Sequence, residues 1–241
     1  MAVKDAYPFS GLGTGLPEYL LQLEHNNTRP WYHENKEAFK KNVREPIQAL
    51  VKALEPAMVK IDTDLKAKIS RVQRDIRFSA NKAPYHTNIW FIFCHTLDIR
   101  TDAPAFYFEA KPDSCQWGTG FYQAKAKTMA LFREIAAQNQ KTFSSILNKL
   151  KKRGFTIHGE TYKKPLKMPE TTHKDIAFLY GIRNIYLTRT HTYDDPSILA
   201  PALLKTLADD FLALSPFYDL LRMAHLQSQI LAEQKSAEAF S

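Results

Sequence analysis

Residues 88–94 of this chain read N-I-W-F-I-F-C, an apolar and aromatic run that decides how the surrounding sequence folds. A run of this length without a charged interruption predicts a central β-strand covered on both faces. Two further strands are predicted soon after it, at Ala105–Ala110 and at Gln116–Gln123, and the second of these contains Gly118 and Gly120. Because the connections are short, we expect these strands to be antiparallel neighbours in one sheet.

Three more segments are predicted to extend this sheet. In Ile69–Phe78 the side chains alternate between two faces with a period of two residues, which is typical of a strand. Phe155–His158 and Asn184–Arg189 are predicted as outer strands. The sequence therefore predicts a mainly antiparallel sheet of about five or six strands.

Helical periodicity dominates on both sides of the strands. Before them, apolar residues at helical spacing predict three helices. After them, a pair of helices is predicted to end at Gly154, since glycine suits the left-handed backbone of a helix C-terminus. The segment from Pro196 is predicted to be helical, with a break at Pro216 and frayed residues beyond about Gln229. We expect an α+β fold and a single domain over residues 1–241, with helices packed on the sheet.

The overall composition is that of a globular protein, with 44% apolar and 24% charged residues. A membrane-spanning helix needs about 18 consecutive apolar residues, and the sequence contains no run of that length. The first ten residues lack the apolar core of a secretory signal. Two cysteines, Cys94 and Cys115, are too few for a disulfide framework and fit a reducing compartment. We therefore expect a cytoplasmic protein without a membrane partner.

A group of charged side chains lies in Arg71–Thr87, immediately before the aromatic strand. This stretch reads R-V-Q-R-D-I-R-F-S-A-N-K-A-P-Y-H-T. Guanidinium and ammonium groups that converge on one cleft bind carboxylates and phosphates. Arg74, Arg77 and Lys82 are therefore candidate ligand-binding residues.

Two residues of the same stretch are candidate catalytic groups. Asp75 is placed to orient the arginine two residues later or, if partly buried, to act as a base. Tyr85 offers a phenol as a hydrogen-bond donor. Further candidate ligand-binding residues lie elsewhere in the chain: Trp31, Glu109 and Arg133.

The charged stretch also has an architectural interpretation. Arg74 falls on the otherwise apolar face of the predicted strand, where a carboxylate such as Glu109 on a neighbouring strand would neutralise it. Breaking a buried pair of this kind typically costs about 3–5 kcal/mol, so the pair would matter for folding without any catalysis. The residues alone leave a ligand site and a structural network equally open.

The net charge of +8 is concentrated between Lys149 and Lys167, where seven basic residues accompany one acidic residue. Such a segment attracts phosphate backbones with an affinity that falls as salt rises. The commoner interpretation is a solvated surface with cations at a helix C-terminus, where they suit the helix dipole. Nucleic-acid binding through residues 149–167 is thus an alternative function.

No motif indicates a metal ion or a cofactor. The histidines and cysteines lack metal-ligand spacing. The patterns G-x-S-x-G, H-E-x-x-H and C-x-x-C are absent from the sequence. The sequence therefore predicts no metal site, implies no cofactor, and leaves the oligomeric state open.

The motif R-D-I-R-F-S at 74–79, followed by K-A-P-Y at 82–85, resembles the hallmark of a widespread, mainly bacterial family of conserved hypothetical proteins. This family is a domain of unknown function, numbered 2461. The resemblance extends over about residues 9–225 and departs from the family pattern after Gly120, where a proline is expected. Since the family has no established activity, the resemblance implies no mechanism.

Three functions remain open from the sequence. The favoured one is binding of an anionic small molecule, bearing a phosphate or a carboxylate, in a basic pocket. The sequence does not decide whether such a protein is also an enzyme. The alternatives are nucleic-acid binding, and a structural or partner-binding module whose arginine and aspartate network is architectural.

Overall fold

The computed structural model describes residues 9–96, 102–170 and 172–239. Its strands are β1 Leu65–Ile69, β2 Ile89–His95, β3 Pro104–Ala110, β4 Ser114–Phe121, β5 Thr156–His158 and β6 Tyr186–Thr192. They form one open antiparallel sheet in the order β1-β2-β3-β4-β6-β5. The predicted α+β class and the predicted sheet are therefore confirmed.

Helices precede, interrupt and follow the strands. They are α1 Gly15–His25, α2 Arg29–Glu34, α3 Lys36–Phe39, α4 Glu45–Ile61, α5 Ala126–Gln138, α6 Gln140–Lys152 and α7 Ala202–Ala239. A π-helical turn, Lys40–Arg44, joins α3 to α4. Helical spacing in the sequence accounts for the packing of α1, which buries its four regularly spaced apolar residues, Leu16, Tyr19, Leu20 and Leu23.

The described residues cluster into two compact units. The first unit draws on the described residues within 9–93, 107–117 and 190–212, and the second on those within 94–106, 118–189 and 213–239. In the first unit the core is aromatic, with Phe91 stacked on Phe108 at 5.2 Å between ring centroids. The Nε1 of Trp117 donates a hydrogen bond of 2.8 Å to the buried carboxylate of Asp210.

The second unit also has an aromatic core. Phe132 meets Phe143 and Phe217 edge to face, at 5.9 and 6.0 Å between centroids. At the sheet margin, β5 pairs with β6, and His158 lies opposite Tyr186 with the two rings stacked at 5.3 Å. β5 and β6 thus correspond to the outer strands predicted at Phe155–His158 and Asn184–Arg189.

The prediction of a strand over Ile69–Phe78 is wrong. β1 ends where that segment begins, and beyond it an isolated bridge joins Gln73 to Tyr85. The Arg74 N–H still donates to the Pro84 carbonyl at 2.9 Å. Because Pro84 has no N–H, it cannot return a ladder hydrogen bond, and the pairing does not propagate into a strand.

β2 has one accessible side, although its apolar run predicts burial on both faces. Along β2, buried residues alternate with half-buried ones such as Trp90 and Cys94. Aromatic side chains are large enough to cover a partly open face, so their presence does not require a second packed layer. The prediction of a fully covered strand is therefore corrected.

α7 continues through Pro216 to Ala239, whereas the sequence predicts a break at Pro216 and fraying beyond Gln229. An interior proline removes one backbone hydrogen bond and crowds the preceding turn. Here Phe217 and Tyr218 are buried directly after it. Burial of these large side chains outweighs the local preference and keeps the helix continuous.

Candidate functional site

A polar cleft of about 880 Å³ lies within the first unit. Its walls come from the end of α1, from the stretch before β2 and from the turn between β3 and β4. The lining includes Arg74, Tyr85, His86, Asn88 and Lys111. The cleft is therefore built partly from the charged stretch that the sequence singles out.

Asn27 fixes the loop that forms one wall of the cleft. Its Nδ2 donates to the Tyr85 carbonyl at 3.0 Å, and its Oδ1 accepts from the Tyr85 N–H at 3.1 Å. This two-point clamp replaces the ladder partners that a strand would provide. The Tyr85 ring stacks on Tyr32 at 4.1 Å and is buried. The role of Tyr85 as a donor to a ligand stays a prediction, and its ring anchors the loop.

Two more tyrosines stand behind this wall. Burial, with smaller contributions from Tyr32 and Tyr85, raises the pKa of Tyr19. Burial likewise raises the pKa of Tyr32. Both phenols therefore stay protonated and uncharged at neutral pH, so this side of the cleft is an apolar support and not a source of charge.

Arg74 is the half-buried cation of the cleft. Among the described residues, no carboxylate pairs with its guanidinium and no side-chain hydrogen bond engages it. Glu109, which was predicted to neutralise it, is occupied elsewhere. Glu109 accepts hydrogen bonds from Asn88 and, at 2.5 Å, from Gln116, and it lies 3.6 Å from the Lys111 ammonium. The predicted Arg74–Glu109 pair is therefore wrong.

His86 reports the electrostatic environment of the cleft. Burial first, and then the nearby charge of Arg74, hold the pKa of His86 below its usual value. A lowered pKa keeps the imidazole neutral near pH 7, so that one ring nitrogen can donate and the other can accept. The cleft thus combines the cation of Arg74 with a neutral polar ring, and its lining also includes the carboxylates of Glu24 and Asp113.

We expect an NMR titration to place the His86 midpoint below the ordinary histidine value of about 6.5. Replacing Arg74 with glutamine should raise that midpoint, because one cause of the lowered pKa is removed. Arg71→Gln is the matched control, since Arg71 is exposed and outside the cleft lining. A His86→Gln spectrum assigns the resonance.

The sign of the accompanying stability change follows from linkage. Because the folded pKa of His86 is depressed, the unfolded state binds more protons below about pH 6.5. His86 therefore lowers stability as pH falls through that range, and the effect ends below the folded pKa. A His86 midpoint at or above that of a free histidine would contradict the described environment.

Asp75 and Arg77 pair with each other outside the cleft lining. Nε and Nη2 of Arg77 donate to the two Asp75 carboxylate oxygens at 2.9 and 2.7 Å. Both side chains are exposed, and the hydrogen bonds from Arg77 lower the pKa of Asp75. The predicted orientation of Arg77 by Asp75 is present. The predicted base is a poor one, because its condition, partial burial, is not met.

The same outer part of the loop carries Lys82 and Phe78. Lys82 Nζ donates to the Ile76 carbonyl at 3.1 Å, which closes the loop on itself. Phe78 is 96% exposed, and the Arg77 guanidinium carbon lies 5.9 Å from the centre of its ring. The cleft lining thus contains Arg74 of the three predicted cationic ligands and not Arg77 or Lys82.

We expect Arg77→Ala to change the melting temperature by less than about 2 °C, since ion pairs between exposed groups contribute little in water. Circular dichroism melting of Arg77→Ala beside Asp75→Asn measures this. A loss of more than about 5 °C in both variants would show that the pair holds the loop and that the network is architectural.

The remaining candidates occupy structural positions. Trp31 is half-buried in α2, where its ring packs at 5.6 Å from that of Tyr19, and it does not line the cleft. Arg133 belongs to the second unit and is buried. Its Nε and Nη2 donate to the carbonyls of Leu179 and Ile182, both at 2.9 Å. These contacts stabilise chain segments.

Sequence reasoning missed Asn27, Asn88 and Lys111 as parts of the site. Asn88 precedes β2, and Lys111 lies in the turn after β3. The sequence signal that could have found Asn88 and Lys111 is their position at strand ends next to a charged loop. This signal becomes informative only once β2 and β3 are known to be neighbours.

The fold and the cleft define an α+β protein in which an irregular, charged loop beside an open antiparallel sheet forms one wall of a polar cleft. No helix in the described ranges is long and apolar enough to cross a membrane. The chain belongs to the conserved hypothetical protein family DUF2461, whose model matches residues 16–220, as the resemblance implied. The cleft residues all fall inside that match. A search of curated proteins finds no significant match to the chain.

Proposed function

We propose that the protein binds a small molecule bearing a carboxylate or a phosphate in the cleft of the first unit. The supporting observation is the half-buried Arg74 guanidinium, which has no counter-ion among the described residues. A guanidinium presents a planar fork of donors that matches both anions. Partial removal from water strengthens the attraction relative to an exposed arginine.

Neighbouring groups add directional contacts to this charge. Glu109 holds Asn88 and Lys111, which lets both line the cleft in fixed positions. The neutral His86 ring supplies one further donor or acceptor. We propose binding and not a catalytic step, because Asp75, the base predicted from the sequence, is exposed and engaged by Arg77.

We place this activity in the cytoplasm on the basis of the cysteines. Neither Cys94 nor Cys115 is in a disulfide. Burial raises the pKa of Cys115 to about 12, which keeps it protonated and unreactive. Two cysteines that form no disulfide suit a reducing compartment.

A thermal-shift screen against inorganic phosphate, sugar phosphates, nucleotides and mono- and dicarboxylates tests the proposal. A ligand at about 100 times its Kd should stabilise the fold by about 2.7 kcal/mol. We expect Arg74→Gln to abolish the shift and Arg71→Gln to retain it. The proposal fails if an anion stabilises both variants equally. It also fails if no anion in the panel stabilises the wild type, which is the outcome that an architectural module predicts.

Nucleic-acid binding is a second candidate function, favoured by a groove of about 670 Å³ along α6 in the second unit. Lys141, Lys149 and Lys152 line it, and none of the three forms an ion pair with a described residue. The groove carboxylate, Asp175, is engaged by Ser144 at 3.1 Å and is close to His173. A row of free ammonium groups on one helix face suits a phosphate backbone.

Fluorescence anisotropy with short RNA and DNA duplexes separates this function from the first. Replacing the three groove lysines with glutamine should lower the salt slope of log K by up to about three, since each neutralised phosphate contributes about 0.9. Lys60→Gln with Lys66→Gln and Lys68→Gln, on exposed positions of α4 and β1, is the charge-matched control. Absence of binding at low salt rules this function out.

A further inference from the structure

The outer side of α7 carries a seam of exposed positions at heptad spacing within the second unit. Alternate steps of three and four residues connect Pro216, Asp219, Met223, Leu226, Ile230, Glu233 and Ala237, and all seven are exposed. The three large apolar members are 45%, 39% and 53% exposed, in the order Met223, Leu226, Ile230. A mean spacing of 3.5 residues characterises the seam of a two-stranded coiled coil.

Within the described part of the chain, the residues that α7 buries in the second unit lie on the other side of this helix. Leu221, Ala224 and Ser228 are buried, and they lie about opposite the seam around the helix axis. The last turns, residues 231–237, are exposed at every position. A helix end of this length without tertiary contacts is marginal in water, yet α7 stays regular to Ala239. A second helix packed along the seam would stabilise it.

We propose that this seam pairs with the same seam of a second copy of the chain, in antiparallel orientation. Parallel pairing would set Asp219 against Asp219 and Glu233 against Glu233, and like charges facing each other in a seam are destabilising. Antiparallel pairing with Leu226 opposite Ile230 sets each acidic residue opposite an uncharged one.

Charge complementarity supports the same register. With Leu226 opposite Ile230, Met223 faces the partner subunit's Glu233, and Asp219 faces the partner subunit's Ala237. Arg222, next to Met223 on the helix, then brings its positive charge near the partner subunit's Glu233, in addition to its contacts within its own chain. The symmetry of the arrangement is that of an isologous dimer, in which each contact occurs twice.

Sedimentation velocity over a concentration series tests the dimer. We expect the wild type to form dimers and the variant Leu226→Glu with Ile230→Glu to remain monomeric while keeping its helical circular dichroism. Leu231→Glu is the matched control, because Leu231 is similarly exposed but lies off the seam, and it should keep the dimer. A monomeric wild type at high micromolar concentration, or a dimeric double variant, overturns the proposal.

Disulfide trapping tests the orientation. Mixing Leu226→Cys with Ile230→Cys under mild oxidation should give a cross-linked heterodimer in higher yield than either variant alone. The wild type, whose buried Cys115 and half-buried Cys94 serve as background, should not cross-link. Higher yield from Leu226→Cys alone would indicate parallel helices and overturn the antiparallel pairing.

Discussion

Gly120→Ala should lower the free energy of unfolding by about 3 kcal/mol, because the strand that carries it leaves no room for a side chain. A Cβ at Gly120 would overlap the Cβ and Cα of Tyr186 and would lie 2.5 Å from the Ile185 carbonyl oxygen. These are mostly backbone or backbone-attached atoms on β6 and just before it, so no rotamer change relieves the overlap. Either β4 and β6 separate or the second unit repacks locally.

Urea denaturation of Gly120→Ala, followed by circular dichroism and by tryptophan fluorescence, measures this loss. Gly181→Ala is the control, since its Cβ would meet only the Phe178 carbonyl oxygen at an ordinary 3.4 Å. We expect that control to remain within about 1 kcal/mol of wild type. A loss below about 1 kcal/mol for Gly120→Ala would mean that the two strands can move apart without penalty.

Local periodicity accounts for what could be predicted of the fold. The buried residues of α1 follow from their helical spacing, and the strand β2 follows from its unbroken apolar and aromatic run. Ile69–Phe78 shows where this reasoning ends. Its alternation reports which side chains meet solvent, whereas a strand also requires a partner that can donate, and Pro84 cannot.

Some residues of the candidate site could be predicted from the sequence and others could not. Arg74 and Tyr85 were predictable, because one short stretch concentrates the charge and the loop-forming residues. Lys111 was not, because its approach to that stretch depends on the order of strands in the sheet. The spacing of Asp75 and Arg77 predicted that the two side chains pair. It could not predict that both are exposed and lie outside the cleft lining, because exposure depends on tertiary structure.

Arg133→Met should lower the free energy of unfolding by about 3 kcal/mol. The sequence suggested Arg133 as a ligand-binding residue, whereas its contacts in the structure are with the protein itself. Methionine keeps much of the length of the side chain but leaves the Leu179 and Ile182 carbonyls without their donors. The variant also loses the guanidinium that lies 5.7 Å from the centre of the Tyr180 ring. Because Arg133 is buried, water cannot readily reach the two carbonyls to replace the lost hydrogen bonds.

Chemical denaturation of Arg133→Met and Arg133→Lys separates the structural role from a ligand role. Lysine keeps the charge but presents a single donor group, so we expect it to recover less than half of the loss. Anion-induced thermal shifts should be unchanged in any Arg133 variant that folds, since the proposed anion contact is Arg74. A variant that keeps full stability and loses the shift would instead make Arg133 a ligand-binding residue, and would contradict the assignment of its guanidinium to the two carbonyls.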